Sequence, residues 1–497
     1  MTEVKLPLSL LDLPAELIHH ILTFLTAVDL SNVCQTCRLL HNHSADDRLW
    51  KRHVQDNLPG VALSNPVRYP SFKQMYLAHH PYWFLPRNKI WFSDSLHHGK
   101  ILIARYSPSR RVIEAHALVA ERRTPEAQLW PHKPDVLIHT FSPRVQLNLD
   151  QPVVKIVAAS QRNFPADNNR FQREIMMDIH NGPEGAAALF SMFMLARPCP
   201  RNAITPQTAI WPPLKIPAVE RSRNSSVEAF RGTGHRPGKL SDINEHTFRI
   251  RKWMEFTSHG HGISMRVGED VNTYATLPAE CYTPTENKPW RGIWVGDYAG
   301  HGCEFLVILQ PDEQVQLPTA VQDIIEQLPR RQSFDSDSQS DGSWHTAPSS
   351  LAEENNVDVA TDTASTEWMD LLQEQQDHTF GTAIAGTASA MEQSEASSSH
   401  THSNGAAQTT TPFHDVDKYS GQLLAVKLTG DLNIPRGEYT FIAPDMGPLG
   451  TVRIADEEMF RGARIVRNYG HIASTGFVEG ELFPVLCSVL LRHNALY

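Results

Sequence analysis

The sequence predicts an α+β chain: an N-terminal module of three short helices, then a mainly antiparallel, β-barrel-like domain carrying a long disordered insert. Three observations point there. Apolar residues between Leu13 and Val54 recur at helical spacing. From Lys100 onward, short runs rich in Val, Ile, Thr and aromatic residues alternate with turn residues. Residues 328–417 are Ser, Thr, Gln, Ala and acid in low-complexity style.

The helices come first. Pro14 suits a first turn, where its missing N–H costs nothing, and Glu16 sits near the positive end of the dipole. Leu17, Ile18, Ile21, Leu22 and Leu25 then form an apolar stripe of period 3.6. Asp29 is a good N-cap for a second helix with the stripe Leu30, Val33, Cys34 and Cys37. Asp46 or Asp47 starts a third, carrying Leu49, Trp50 and Val54. Three helices this short bury too little surface to stand alone, and leftover apolar surface on so small a module points to a partner.

That string resembles an F-box. The family's Leu-Pro-x-Glu opening is Leu13, Pro14, Ala15 and Glu16; its aliphatic run is Ile18, Ile21 and Leu25; its Asp-Leu is Asp29 and Leu30; its Val-Cys is Val33 and Cys34; its late Leu-Trp is Leu49 and Trp50. The resemblance implies docking onto Skp1, and through it onto a cullin–RING core, by Leu13, Pro14, Leu17, Ile18, Ile21, Leu25, Leu30, Val33, Cys34 and Trp50.

Bulk properties narrow the class. A length of 497 residues predicts two to four domains. Six irregularly spaced cysteines give no disulfide framework and fit a reducing compartment, cytoplasmic or nuclear. Glu3, Lys5, Asp12 and Glu16 make the N-terminus unlike a secretory signal, and among the longest apolar runs Ala186–Ala196 has eleven residues, short of a membrane helix. The net charge of −10 is local: residues 332–417 hold fifteen Asp or Glu and no Lys or Arg, leaving 45 basic against 40 acidic residues elsewhere. No basic stripe of the nucleic-acid-binding kind is present, so neither nucleic acid nor membrane is expected as a partner.

Next come the strands. Tyr69, Phe72, Tyr76, Tyr82, Trp83 and Phe84 are an aromatic set expected to pack the helical module onto the β-rich part of the chain. Lys100–Tyr106 and Val112–Ala120 flank Ser107-Pro108-Ser109-Arg110, a hairpin signal. Further strands are expected at 136–140, 153–158, 174–179, 247–256, 263–267, 292–298 and 303–309, and after the insert at 422–428, 438–443, 451–454, 464–466 and 486–491. Ala186–Ala196 reads equally as strand or buried helix. Residues 197–245, rich in Pro, read as a long surface excursion, and the insert cannot bury enough apolar surface to order itself, its Trp368–Leu372 cluster apart. The domains expected are 6–55, a helical and aromatic linker 56–90, a β-rich domain in two parts (91–327 and 418–497), and the insert 328–417.

A second resemblance lies in that β-rich part. Val295, Gly296, Tyr298, His301, Gly302 and Glu304 fit an apolar-Val-Gly-x-Tyr-x-x-His-Gly-x-Glu pattern. Lys427, Thr429, Gly430, Asp431, Asn433, Pro435 and Gly437 fit Lys-x-Thr-Gly-Asp-x-Asn-x-Pro-x-Gly, and Gly470, Ile472 and Ala473 with Gly476 and Phe477 fit a third element. These patterns are similar to those of F-box proteins with a C-terminal β-barrel, the class that includes the receptor recruiting D-type cyclins. The resemblance implies a protein substrate, held as a short peptide segment by Trp294, Tyr298, His301, Glu304, Lys427, Thr429, Asp431 and Arg436. The residues alone also support a plainer reading, in which the glycines shape tight strand connections.

Catalytic chemistry finds no footing. The Cys34-x-x-Cys37 pair lies on the proposed apolar helix face, no Asp, Glu or Cys sits at ligand spacing beside His259 and His261, His301 reads as a turn histidine, and Gly232-x-Gly234 lacks a third glycine. No nucleophile, base and orienter assemble. The sequence therefore reads as a non-catalytic substrate-recognition subunit of a Skp1–cullin–F-box ubiquitin ligase, without cofactor or metal. Its alternative is a β-barrel enzyme or metal-binding protein with an incidental helical N-terminus.

Overall fold

The computed structural model describes residues 9–95, 98–123, 127–130, 133–139, 143–158, 170–177, 191–205, 207–224, 230–259, 262–298, 302–327, 419–455, 462–471, 477–478 and 482–489. His301, the Ala186–Phe190 half of the ambiguous apolar run, and the insert from 328 to 417 fall outside them.

The N-terminal module contains α1 (Ala15–Leu22), α2 (Ala27–Val33), α3 (Arg38–Ser44) and α4 (Asp47–Gln55). Pro14 occupies the N-cap of α1. The expected cap Asp29 instead sits in the first turn of α2, because Thr26 caps it: Thr26 Oγ1 accepts from the Asp29 N–H at 3.2 Å and donates to the Asp29 carboxylate at 2.7 Å. That side-chain cap starts the helix three residues earlier. Helix α3 was not visible in the apolar spacing. The break before it falls between Cys34, the C-cap of α2, and Cys37, the N-cap of α3, so the two cysteines do not share a helix face. Asp46 caps α4, and Arg48 beside it holds its carboxyl down to about 2.

Beyond the module, α5 (Phe72–His79) and α6 (Phe84–Asn88) carry the aromatic set into one continuous core with the strands. Asp47 accepts from the Phe72 N–H at 2.6 Å, tying α4 to the start of α5. The core runs from Ile18 and Trp50 through Met75, Trp83 and Phe84 to Trp91, Phe193 and Phe248.

The strands form two main antiparallel sheets. In chain order they are β1 (Ile90–Ser93), β2 (Ile101–Ser107), β3 (Val112–Glu121), β4 (Ala127–Trp130), β5 (Lys133–His139), β6 (Arg144–Val157), β7 (Ile175–Met177), β8 (Ser191–Leu195), β9 (Ile210–Trp211), β10 (Ser222–Arg223), β11 (Thr247–His259) and β12 (Gly262–Thr276). After the short α7 (Ala279–Tyr282) come β13 (Gly292–Asp297) and β14 (Cys303–Leu309), then α8 (Thr319–Gln327). Past the insert lie β15 (Leu423–Lys427), β16 (Tyr439–Ala443), β17 (Thr451–Ile454), β18 (Arg464–Gly470) and β19 (Phe483–Val489). The first sheet runs β6-β3-β2-β1-β12-β11-β8-β7; the second runs β13-β14-β15-β16-β18-β17, with β19 also on β18. The barrel-like domain is thus built as half-barrel sheets, since no ladder closes either of them among the described residues.

Side-chain alternation explains why the first sheet is buried on both faces. Trp91 and its cross-strand partner Leu102 enter the core shared with the helices, whereas Phe92, paired with Ile101 and Ala275, enters a second core. That second core is closed from the other side by Phe305, Val307, Leu424, Val426 and Ile442 of the second sheet.

The Pro-rich stretch 197–245 is not a surface excursion. Trp211, Ile216 and Phe230 are buried, and the Trp211 indole N–H donates to Phe92 O at 3.3 Å. Polar need on the first sheet accounts for it. Arg249 and Arg251 alternate with core residues Phe248 and Ile250, so both guanidiniums lie on the opposite face, the one Ala275 and Phe92 share, and are buried there. The stretch supplies acceptors: Ser222 Oγ at 2.6 Å and Arg223 O at 2.7 Å for Arg249, and Phe230 O at 2.6 Å for Arg251. Buried cations without such partners would be strongly destabilising.

Candidate functional site

The expected substrate-contacting residues divide between a buried support and an open cleft. On β13 and just past its end, Gly292, Trp294, Gly296 and Tyr298 share the outer face of the second sheet, and both rings lie back over the glycines. A Cβ at Gly292 would meet Trp294 Nε1 at 3.0 Å, and one at Gly296 would meet Tyr298 Cε2 at 2.7 Å. Glu304 pairs with Gly296 across the ladder, and Lys427 with Leu306, so both side chains project from that same face.

There Lys427 is fully buried, at 0% exposure. Its ammonium pairs with the Glu304 carboxylate, lies 3.6 Å from Asp431 Oδ2, and sits 3.9 Å from the centroid of the Tyr298 ring. Burial pushes Glu304 up to about 7 against the opposing pull of Lys427, and raises the Tyr298 phenol to about 12. Burial alone would also raise Asp431, but the N–H groups of Ile434 and Asn433, with Lys427, hold it below the usual carboxylate range. Asp431 Oδ1 accepts from Asn433 N at 2.6 Å and Ile434 N at 2.8 Å, which shapes the turn after β15.

The two motif segments are neighbours, as the family resemblance implies. Phe305 O accepts from Leu428 N (2.9 Å) and Thr429 N (3.2 Å), and Phe305 N donates to Thr429 Oγ1 at 2.8 Å. Arg436 turns away from Lys427 and toward the first sheet, donating to Ser95 O at 2.5 Å and stacking over Trp211 at 4.5 Å. Trp294 donates to Trp290 O at 3.0 Å and packs on the outer apolar cluster. His301 lies outside the described residues.

Beside this support, a cleft of about 530 Å³ opens between the sheets. Of the expected residues, Glu304 and Thr429 border it; Trp294, Tyr298, Lys427, Asp431 and Arg436 do not. Its opposite wall comes from the first sheet, at His98–Ile101, Ala117–Ala120 and Gln151–Val153. No sequence signal marked that wall, because it arises from where ladders end. Gly296→Ala is expected to force the Tyr298 ring off Lys427, costing about 1–3 kcal/mol as overpacked sites do; a melting temperature equal to that of the unaltered chain would show that the ring relaxes freely.

A second candidate surface lies on the helical module. Ile18, Leu30 and Trp50, expected on the docking face, belong to the module's own core, the Trp50 indole donating to Ser44 O at 2.8 Å. Leu13, Leu25 and Val33 pack against that core partly buried, Cys34 is half-buried, and Pro14 is exposed. Outward on the module stand Leu17, Ile21, Phe24 (73% exposed) and Val28, along with Leu10, Leu11 and Leu39. Helix α1 thus carries two apolar stripes, one filling the module and one facing away. Phe24 and Val28 escaped the sequence reading, although their spacing from Leu17 and Ile21 repeats the helical period.

The fold joins a helical module with an outward apolar stripe to a two-sheet domain with an open cleft. Residues 10–56 match the F-box-like family, and residues 274–494 match the cyclin D1 binding domain family, a combination consistent with an F-box protein of the cyclin D1-recruiting class. The second match begins at the end of β12, so it covers the second sheet and leaves most of the first outside. Comparison of the chain with curated proteins finds no match.

Proposed function

We propose that the chain is the substrate receptor of a Skp1–cullin–F-box ubiquitin ligase, acting without catalytic residues of its own. The outward stripe Leu17–Ile21–Phe24–Val28 docks on Skp1. It carries the reading because the module's interior is already filled, so this apolar face has no use within the described fold. The cleft between the sheets holds the substrate, for which the cyclin D1 binding match points to a D-type cyclin. Linking the two ends raises the concentration of a substrate lysine near the ligase's E2, which promotes ubiquitin transfer and degradation in the cytoplasm or nucleus. Reconstitution with Skp1, cullin, RING protein and E2 tests this: ubiquitin is expected to reach cyclin D1 only when the chain is present. Lack of Skp1 binding at micromolar concentration would refute the reading.

A further inference from the structure

The wall that the first sheet gives to the cleft contains a break in register. Between β3 and β6 the ladder steps from His116↔Pro152 to Leu118↔Leu147, so four residues of β6, 148–151, stand against one of β3, Ala117. Strand β6 lies at the end of that sheet, and among the described residues no further strand pairs with it from outside. Asn148 and Gln151, at the two ends of the bulge, are exposed and border the cleft. Bulges beside binding sites commonly re-aim side chains in this way.

A buried side chain anchors the bulge. Ile113 and Ala115 enter the first core, which puts Glu114, His116 and Leu118 on the face turned toward the second sheet. There the His116 ring is 2% exposed, and its Nδ1 lies 3.0 Å from Asn148 O. A carbonyl oxygen only accepts, so Nδ1 carries the hydrogen and donates it. That bond draws the backbone of the bulge onto the ring. Behind the ring, Nε2 sits 3.5 Å from Glu114 Oε1, an ion pair whenever the imidazole holds both protons. The Glu114 carboxylate is fully buried, and Oε1 accepts from Arg105 Nε at 2.8 Å and Arg110 Nη2 at 2.5 Å.

We propose that His116 is a positioning residue for substrate capture: its bond to Asn148 O pins segment 148–151 so that the carboxamides of Asn148 and Gln151 stand at the cleft as substrate contacts. This rests on the substrate-receptor reading. A carboxamide carries donors and an acceptor together, so each can bond a peptide group of the substrate. Fixed before binding, the pair avoids the ordering entropy that a loose segment would lose at the interface.

The test measures cyclin D1 binding to the full chain, with the melting temperature recorded alongside. His116→Phe fills the site without a donor and is expected to lose at least tenfold in affinity. His116→Asn leaves a larger void, but its amide nitrogen takes the place of Nδ1, and it is expected to bind within threefold of the unaltered chain. A residue that only packs would rank these two the other way. Asn148→Ala/Gln151→Ala is expected to match the loss in His116→Phe at an unchanged melting temperature. Adding His116→Phe to that pair is expected to lose nothing more, since the imidazole acts through the same segment. Unmoved affinity, additive losses, Phe outranking Asn, or outright unfolding of His116→Phe would overturn the proposal. If the unaltered chain fails to bind cyclin D1, the receptor reading falls and the pin is decided in the free chain by amide exchange across residues 144–157. Exchange faster in His116→Phe and restored in His116→Asn supports the pin; equal exchange refutes it.

Discussion

Lys427→Met is expected to destabilise the folded chain by about 3–5 kcal/mol above pH 8, the range seen when one partner of a buried ion pair is removed. The ammonium it deletes is fully buried against Glu304, Asp431 and the Tyr298 ring. Without it, two buried carboxylates lose their counter-charge. Glu304 can escape by taking a proton, so the penalty is expected to shrink toward pH 6. Adding Glu304→Gln to Lys427→Met removes the charge that suffers most and is expected to recover more than half of the loss. Chemical denaturation at both pH values, arranged as a double-mutant cycle, checks this; equal losses for the single and double variants would separate Lys427 from Glu304.

The same carboxyl gives the unaltered chain a pH signature. Its pKa rises from 4.5 to about 7 on folding, so between those values the folded state holds a proton that the unfolded state has released. Stability from this group is full below about pH 4.5 and is lost as pH climbs through about 7. Glu304→Gln is expected to flatten that decline.

Leu17→Asp with Phe24→Asp is expected to weaken Skp1 capture by two orders of magnitude or more, with the melting temperature unchanged. Both side chains are exposed, at 49% and 73%, so charging them leaves the module's core intact. A partner packing on them would have to bury two carboxylates, a severe penalty. The contrast is Trp50→Ala, which hollows the core and is expected to lose stability and Skp1 binding together. Retained stoichiometric binding by the charged double variant would move the docking face elsewhere, Leu13 and Pro14 being the next to test by a paired change to Ala.

Much of the architecture was legible in residues alone. Runs rich in Val, Ile, Thr and aromatic residues between turn residues located β2, β3, β11, β13, β14, β15 and β16 to within a few residues. Helix α3 was not legible, since its seven residues RLLHNHS carry two apolar groups and a cysteine cap. Strand β1 is four residues long and buried nearly throughout, so it shows no alternation. Proline density misled over residues 197–245, because buried arginines elsewhere in the chain drew that stretch inward.

The candidate site followed the same division. That the two motif segments meet was carried by the residues through the family resemblance, and Thr429 and Asp431 shape the turn that brings them together. Only the tertiary structure decided which of those side chains face inward and where the cleft lies. Strand alternation fixes the face of a residue, but not whether that face is covered. Nor does it say where a ladder stops: β2 begins at Ile101 and β6 loops out opposite Ala117, facts of register that no single strand's residues contain.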